Sequence, residues 1–343
     1  MTEEIKELTV AGAGISGSYF YALFTDKFPE TKLKVYDGAK RRGCTCAFGC
    51  FYTQLKEKLD KVGLNVEDYI LCKNKGLILN GVYIPLRNQI SIDKPKLVKD
   101  LCPKPIPKKV DLSLDNAFGP ELIVNATGIP LCPHYIIPTV QYRVKAEGLE
   151  PQVNYVYVNP KYVGYAWVFS LDEEGKWFHL GAGCVNADPE ILVKALVKRY
   201  KVKVTAKSCM CNRPIRVVNP EELRIYLGRI ISVGEAAGLV FPVTGEGILP
   251  AMVSSLALRN VMLSLETDPW IGIREEYESL IKVYMILHDY YKAFEVWKLM
   301  KKHPRTAWLK GFRFMLKRTK TRAQPVLTPL NLLKVMTRLI CGR

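Results

Sequence analysis

At 343 residues the chain is long enough to bury a sizeable core and to divide into two or three domains. Hydrophobic residues make up 48%, and no run approaches the ~18 apolar residues of a membrane span, which excludes a helical integral membrane protein. The net charge of +17 is uneven: residues 301–343 hold twelve Lys or Arg and no Asp or Glu, so the rest is nearly balanced.

Met1-Thr2-Glu3-Glu4 is polar and acidic, which leaves no room for a signal peptide and predicts a cytoplasmic protein. Leu8-Thr9-Val10 then reads as a short buried strand and Tyr19–Phe24 as a helix. Between them runs Val10-Ala11-Gly12-Ala13-Gly14-Ile15-Ser16-Gly17, with glycines where strand turns into helix. A dinucleotide needs glycine there three times: for the tight turn, for close approach of the pyrophosphate, and for close helix–strand packing. The helix N-terminus adds free N–H groups and partial positive charge. Leu33–Asp37 returns as a strand, and Asp37 falls about twenty residues after Gly17, the reach of a ribose 2′-hydroxyl contact. Gly12, Gly14, Ser16, Gly17 and Asp37 are thus candidate cofactor-binding residues.

Gly38–Cys50 is rich in glycine and cysteine and reads as a loop, followed by a helix over Phe51–Leu59. Leu77-Ile78-Leu79 and Val82-Tyr83-Ile84, split by Asn80-Gly81, predict a hairpin with a type I′ turn. Ser91-Ile92-Asp93 starts a helix with Pro95 in its first turn, and Pro103, Pro105 and Pro107 make the next piece a loop. Leu122–Gly128 is a buried strand ending in the small residues Ala126, Thr127 and Gly128. From Gln141 to Gly183 the pattern is strand after strand, with a turn at Asp172–Gly175. Pro189–Tyr200 is an amphipathic helix with Ile191, Leu192, Ala195 and Leu196 on one face. Arg229–Gly238 is a buried strand entering a glycine turn, Gly245-Glu246-Gly247-Ile248 follows, and a long helix runs through Leu263. From Arg274 onward the pattern is helical.

Ten cysteines include two close sets, Cys44/Cys46/Cys50 and Cys209/Cys211. Neither set gives the paired CxxC knuckles of a zinc site, so no metal is expected. Small buried core residues and intramolecular disulfides both stay open.

These blocks, in this order, resemble the geranylgeranyl reductase family, FAD enzymes related in fold to para-hydroxybenzoate hydroxylase. The glycine turn matches the family's start. Cys46-Ala47-Phe48-Gly49 is similar to its C-A-E-G loop, with Phe48 in place of the acid. Gly164-Tyr165-Ala166-Trp167-Val168-Phe169 is similar to its G-Y-x-W-x-F-P strand, with Ser170 in place of proline. Gly234-Glu235-Ala236-Ala237-Gly238 through Gly245-Glu246-Gly247-Ile248 matches its G-D-A-A-G … P-x-x-G-E-G-I block, with Glu235 for Asp.

The resemblance implies an α/β fold: a Rossmann-type FAD-binding domain (1–65, 91–130 and 225–265), an inserted antiparallel β-sheet substrate domain (66–90 and 131–224) and a basic C-terminal helical region (266–343). It implies FAD as cofactor, with Gly234, Glu235, Pro242, Gly245, Gly247 and Ile248 on the flavin half, along with Cys46, Ala126, Thr127 and Gly128. An acid after a strand suits a ribityl or ribose hydroxyl, and glycines let backbone N–H groups approach the flavin's pyrimidine end. The implied activity is reduction of C=C bonds in a polyprenyl lipid, with Cys46, Tyr165 and Trp167 as catalytic residues. Tyr165 and Trp167 share one strand face and would wall the isoprenoid cavity; an ordinary sheet core is the alternative. Cys46 is either reactive beside the flavin or an inert buried thiol. His134 and His179 have no assigned role.

No second dinucleotide fingerprint is visible, so the electron donor is NAD(P)H bound transiently or a ferredoxin-like protein. In the tail, Trp308, Phe312, Met315 and Leu316 fall on one face of a basic helix, which fits an anionic membrane surface on the cytoplasmic side. A solvated helix is the alternative, and with no aromatic-basic binding fold no nucleic-acid partner is expected. Two other functions stay open: a flavin hydroxylase of an aromatic or quinone, and a non-catalytic flavin- or lipid-binding protein at the membrane surface.

Overall fold

The structure, a computed structural model, describes residues 7–25, 32–39, 47–119, 121–159, 161–241 and 244–264, with Tyr277, Lys334 and Thr337. Along the chain come β1 (Glu7–Ala11), α1 (Ile15–Thr25), β2 (Lys32–Tyr36), β3 (Gly49–Phe51), α2 (Tyr52–Asp60), β4 (Ile70–Leu79), β5 (Val82–Ile92), α3 (Lys94–Leu101), α4 (Leu114–Ala117) and β6 (Leu122–Asn125). There follow β7 (Tyr135–Ile137), β8 (Thr139–Glu147), β9 (Val153–Val158), β10 (Gly164–Ser170), β11 (Trp177–Cys184), α5 (Pro189–Arg199), β12 (Lys203–Cys211), β13 (Ile215–Val217), β14 (Tyr226–Leu227), β15 (Ile230–Ser232) and α6 (Ile248–Ser264).

Two sheets organise the molecule. The first has the order β14-β15-β6-β1-β2, parallel throughout except for β14. Its central strands are apolar and buried on both faces, as a helix-covered parallel sheet requires. Leu8, Val10, Val35, Val124 and Ile231 join Phe20 and Phe24 of α1 and Leu258 and Val261 of α6 in one core. Each fully buried side chain of this size adds about 1.5–3 kcal/mol. From β1 the chain steps to β2 on one side, while β6 lies on the other; β1 is therefore the point where strand order reverses.

The second sheet has eight strands, ordered β12-β8-β11-β10-β9-β4-β5-β3. Its pairings are antiparallel, as expected, except that β4 and β9 pair in parallel where the β4–β5 hairpin meets the strands laid down later. The β4–β5 hairpin turns at Asn80 and Gly81 with φ of 49° and 82°, as a type I′ turn needs. α5 covers one face, with Leu192, Val193 and Leu196 packed against Phe178, Leu180 and Ala182. Asp188 caps α5 by accepting from the Glu190 N–H at 2.9 Å. Ile191, expected on the buried stripe, is 42% exposed, and Val193 takes the inner position because the stripe winds further round the helix than the sequence spacing suggested. Asp93 caps α3 through the Lys96 N–H at 3.1 Å, with Pro95 in the first turn as expected. β7 and β13 form a small antiparallel pair. No helix among the described residues is long and apolar enough to cross a membrane; the tail residues expected to bind a membrane lie outside them.

Candidate functional site

Register brings the candidate residues together. Ala11 lies opposite both Tyr36 and Asn125, and Asn125 lies opposite Ser232. The carboxyl ends of β1, β2, β6 and β15 are therefore level, and Gly12, Asp37, Ala126–Gly128 and Gly234 all fall just past that edge. Crevices of this kind are where open parallel sheets take their ligands.

Each glycine of the first turn has a separate role. Gly12 has φ 106°, and a Cβ there would lie 2.5 Å from the Ala126 carbonyl oxygen. A Cβ at Gly17 would lie 1.9 Å from the Gly12 carbonyl oxygen. Both positions are closed to any side chain. Gly14 is exposed, and a Cβ there would meet no described atom within 4 Å. Backbone is thus bare to the outside at the start of α1, which fits the approach of a pyrophosphate. Asp37 follows β2 directly; its N–H donates to the Ile106 carbonyl at 2.8 Å and its Oδ1 accepts from the Ala39 N–H at 3.1 Å.

Two adjacent serines of α6 tie the glycine turns together. Ser255 Oγ donates to the Ser16 carbonyl at 2.9 Å, and Ser254 Oγ accepts from the Gly234 N–H at 2.8 Å. Ser16 Oγ itself packs on Gly234, where a Cβ would come within 2.7 Å of it. Sequence reading passed over both serines; the signal was a polar pair inside an otherwise apolar helix.

The fully buried Asn125 locks the end of β6. Its Oδ1 accepts from Thr127 Oγ1 at 2.7 Å and its Nδ2 donates to the Ile129 carbonyl at 3.0 Å. Glu235 sits on the other side of this turn. Its Oε1 accepts from the Arg216 N–H at 2.8 Å, and Oε2 is 4.0 Å from Arg213 Nη2. Arg213 Nη2 also donates to the Thr127 carbonyl at 3.1 Å. Burial pushes the Glu235 carboxyl above the ordinary carboxylate range, and the Arg213 guanidinium acts against that shift. Glu235 thus has partners within the chain as well as a place at the edge. Asn125, Arg213 and Arg216 were not singled out from the sequence.

The second glycine loop meets the large sheet. Gly245 has φ 67°, and its N–H donates to the Phe241 carbonyl at 2.8 Å. Tyr165 Oη donates to the Thr244 carbonyl at 2.6 Å, so the aromatic strand β10 is joined to this loop. Gly247 packs near Val240, and Ile248 opens α6. Burial raises the Tyr165 phenol, which stays protonated. Tyr165 and Trp167 lie 5.7 Å apart, ring centre to ring centre, and Trp167 and Phe169 6.4 Å. Trp167 stands across from Gly181, where a Cβ would lie 2.7 Å from the indole, and its Nε1 donates to Gln141 Oε1 at 3.3 Å. The expected aromatic face is therefore present, and it is turned toward the glycine loop.

Cys46 and Pro242 lie outside the described residues. Just beyond Cys46, Phe48 and Cys50 are buried. Burial pushes the Cys50 thiol up to about 12, with the Glu246 carboxylate adding to the shift, so Cys50 is not a thiolate at neutral pH. Cys50, Cys72, Cys132, Cys184 and Cys211 are free thiols, and no cluster of metal ligands occurs among the described residues.

His179 proves to be part of this neighbourhood. It is 0% exposed, and its ring meets Phe48 edge to face at 4.4 Å. Neither ring nitrogen has a hydrogen-bond partner among the described residues. Burial, with the Arg143 and Lys94 cations, lowers its pKa to about 3, so the imidazole is neutral.

No protein-family model and no curated protein matches the chain. Solved structures do. A geranylgeranyl bacteriochlorophyll reductase-like protein from Thermoplasma acidophilum superposes with a TM-score of 0.71 at 17% identity, over 97% of this chain and 95% of that one. The flavin-dependent halogenase BrvH from Brevundimonas gives 0.65 at 11% identity, over 97% and 90%. HpxO from Klebsiella pneumoniae, complexed with FAD, gives 0.63 at 14% identity, over 95% and 100%. The likeness is one of fold: the chain has the mixed α/β architecture, a mostly parallel sheet and a large second sheet, in common with these proteins.

Proposed function

We propose that the chain is an FAD-dependent oxidoreductase that reduces C=C bonds in the polyprenyl chain of a lipid. One observation carries the reading: the Tyr165–Thr244 hydrogen bond joins the aromatic face of the large sheet to the second glycine loop, while that loop's helix, α6, holds both glycine turns. Gly12 and Gly17 close the first turn and Gly14 leaves bare backbone there, where the pyrophosphate would lie, with Asp37, just past β2, toward the adenosine ribose. Ala126–Gly128, Gly234 and Glu235 would line the middle of the cofactor, and Gly245–Ile248 its flavin end, where the resemblance also assigns Pro242. FAD, when bound there, supplies the redox chemistry. The chain's own part is to exclude water and hold an apolar chain against it with Tyr165 and Trp167; Cys46 joins them only by the family resemblance.

The polyprenyl substrate draws further support from the tail, whose +12 charge with no acid suits an anionic membrane on the cytoplasmic side. Electrons come from NAD(P)H or a ferredoxin-like protein. A second reading, hydroxylation of an aromatic or quinone, is favoured by one specific observation: Gln141 Nε2 and both nitrogens of His179 are buried on the same wall with no hydrogen-bond partner among the described residues. Extracting the cofactor and weighing it tests the common ground, and finding FMN or nothing after reconstitution refutes both. Anaerobic turnover of a geranylgeranyl lipid by the reduced protein separates them: loss of alkene supports the reductase, and oxygen-dependent product without alkene loss supports the hydroxylase.

A further inference from the structure

The wall beside the glycine loop is not wholly apolar. Trp167 pairs across the sheet with Gly181, which pairs in turn with Gln141; Phe169 pairs with His179, which pairs with Arg143. Residues on one rung of an antiparallel sheet point the same way, so Tyr165, Trp167, Phe169, His179 and Gln141 share one face. Tyr165's bond to Thr244 identifies it as the face toward the cofactor edge.

Two buried side chains on that face have unmet hydrogen-bonding capacity. Gln141 is 5% exposed; its Oε1 takes the Trp167 indole N–H, but its Nε2 has no partner among the described residues. His179 has none at either nitrogen. Buried polar groups in folded proteins are nearly always paired, so two such orphans on one face need an explanation. They are diagonal neighbours on β8 and β11, a spacing of about 7–8 Å between their backbones, from which two long side chains can converge on one atom. Gly181 lies between them on the ladder with the Trp167 indole packed on it, so the two polar groups flank the indole edge rather than the space the glycine leaves.

We propose that Gln141 and His179 form a subsite for a neutral oxygen, a hydroxyl or carbonyl, on an otherwise apolar substrate. The proposal rests on the flavoenzyme reading for which face meets substrate, and adds the chemistry that face requires. A neutral imidazole offers one donor and one acceptor, and the amide offers a donor, so a hydroxyl satisfies both residues and a carbonyl satisfies the two donors. An anionic group fits less well. Arg143 and the buried Lys94 act on His179 as cations, but Arg143 lies over the Trp177 ring at 5.6 Å, and the two groups with unmet hydrogen-bonding capacity are themselves uncharged.

The test uses the full chain and three probes: geranylgeraniol, the same hydrocarbon chain without oxygen, and geranylgeranyl diphosphate. Binding is followed by tryptophan fluorescence in detergent, which needs no cofactor. The parent should prefer the alcohol to the hydrocarbon by about tenfold, the worth of one to two net hydrogen bonds. In His179→Leu and in Gln141→Leu, assayed separately, that preference should fall below about threefold, since each removes one of the paired contacts. Equal binding of alcohol and hydrocarbon by the parent overturns the subsite, as does a preference unchanged in both variants, or a preference for diphosphate over alcohol. If His179→Leu does not fold, Gln141→Leu alone decides. FAD content measured on the same samples keeps the two ideas apart. Protein that takes no FAD yet prefers the alcohol refutes the flavoenzyme reading and retains the subsite; protein that takes FAD without any preference does the reverse.

Discussion

Replacing Gly14 and Gly17 by alanine, one at a time, separates folding from ligand binding within four residues. At Gly17 the added methyl would sit 1.9 Å from the Gly12 carbonyl oxygen and 3.0 Å from the Ala126 side chain. The first of these is backbone and cannot swing away, so α1 must shift off β1. Overpacking of this kind costs about 1–3 kcal/mol, and a clash this deep belongs at the upper end. At Gly14 the methyl meets no described atom within 4 Å. Stability should change by no more than about 0.5 kcal/mol, and a small gain is expected because alanine restricts the unfolded chain. Binding is another matter. If a pyrophosphate approaches the bare backbone there, the methyl holds it off and removes a charge-assisted hydrogen bond worth about 1.5–3 kcal/mol, or a tenfold to hundredfold loss of affinity. Urea unfolding of apoprotein reports the first quantity, and quenching of FAD fluorescence on titration reports the second. Parent-like FAD affinity in Gly14→Ala would show that no phosphate sits at this turn, and parent-like stability in Gly17→Ala would show that the turn is not packed as described.

Trp167→Ala should weaken turnover of a polyprenyl substrate while leaving the bound-flavin spectrum unchanged; loss of flavin and fold together, at the ~3–5 kcal/mol typical of a core tryptophan, would instead make it a packing residue. His179, with its pKa lowered to about 3 by burial and the Arg143 and Lys94 cations, should make the protein acid-sensitive. Below its ordinary value of 6.5 the unfolded chain takes up a proton that the folded chain refuses, so stability falls with pH until about 3. At pH 5 that amounts to about 2 kcal/mol. His179→Leu should lack this part of the slope, and identical slopes in parent and variant would refute it. Residues 301–343 should carry the chain onto anionic vesicles in co-sedimentation, with binding that falls steeply with salt; equal pelleting with neutral vesicles at every salt level would reject the electrostatic part.

Much of this was legible in the sequence because it rests on local rules. Glycine at Gly12 and Gly17 is dictated by backbone sterics within one turn, and the Asn80-Gly81 hairpin and the start of α3 at Asp93 follow from short-range hydrogen bonding. Tyr165 and Trp167 were readable as one face from strand alternation alone. What escaped depends on partners far along the chain. Ser255 meets Ser16 across 239 residues, and Gln141 acquires its place only through the registry of β8 with β11. His179 looked unremarkable because nothing near it in sequence tells whether its nitrogens will find partners. Ile191 failed for a simpler reason: helical spacing defines a stripe but not which edge of that stripe the sheet covers.

Strands β4 and β9 lie side by side in the middle of the large sheet, yet between them the chain departs to lay down α3, α4 and β6 elsewhere. During synthesis β4 and its hairpin partner β5 emerge first, and β4 then waits with an open edge. On the other sheet β6 waits in the same way for β15. Pairings that close such long loops form slowly and leave strand edges exposed to other chains meanwhile. The large sheet is completed by β12, at Cys211, and the parallel one by β15, at Ser232, so no single cut of the chain divides one sheet from the other.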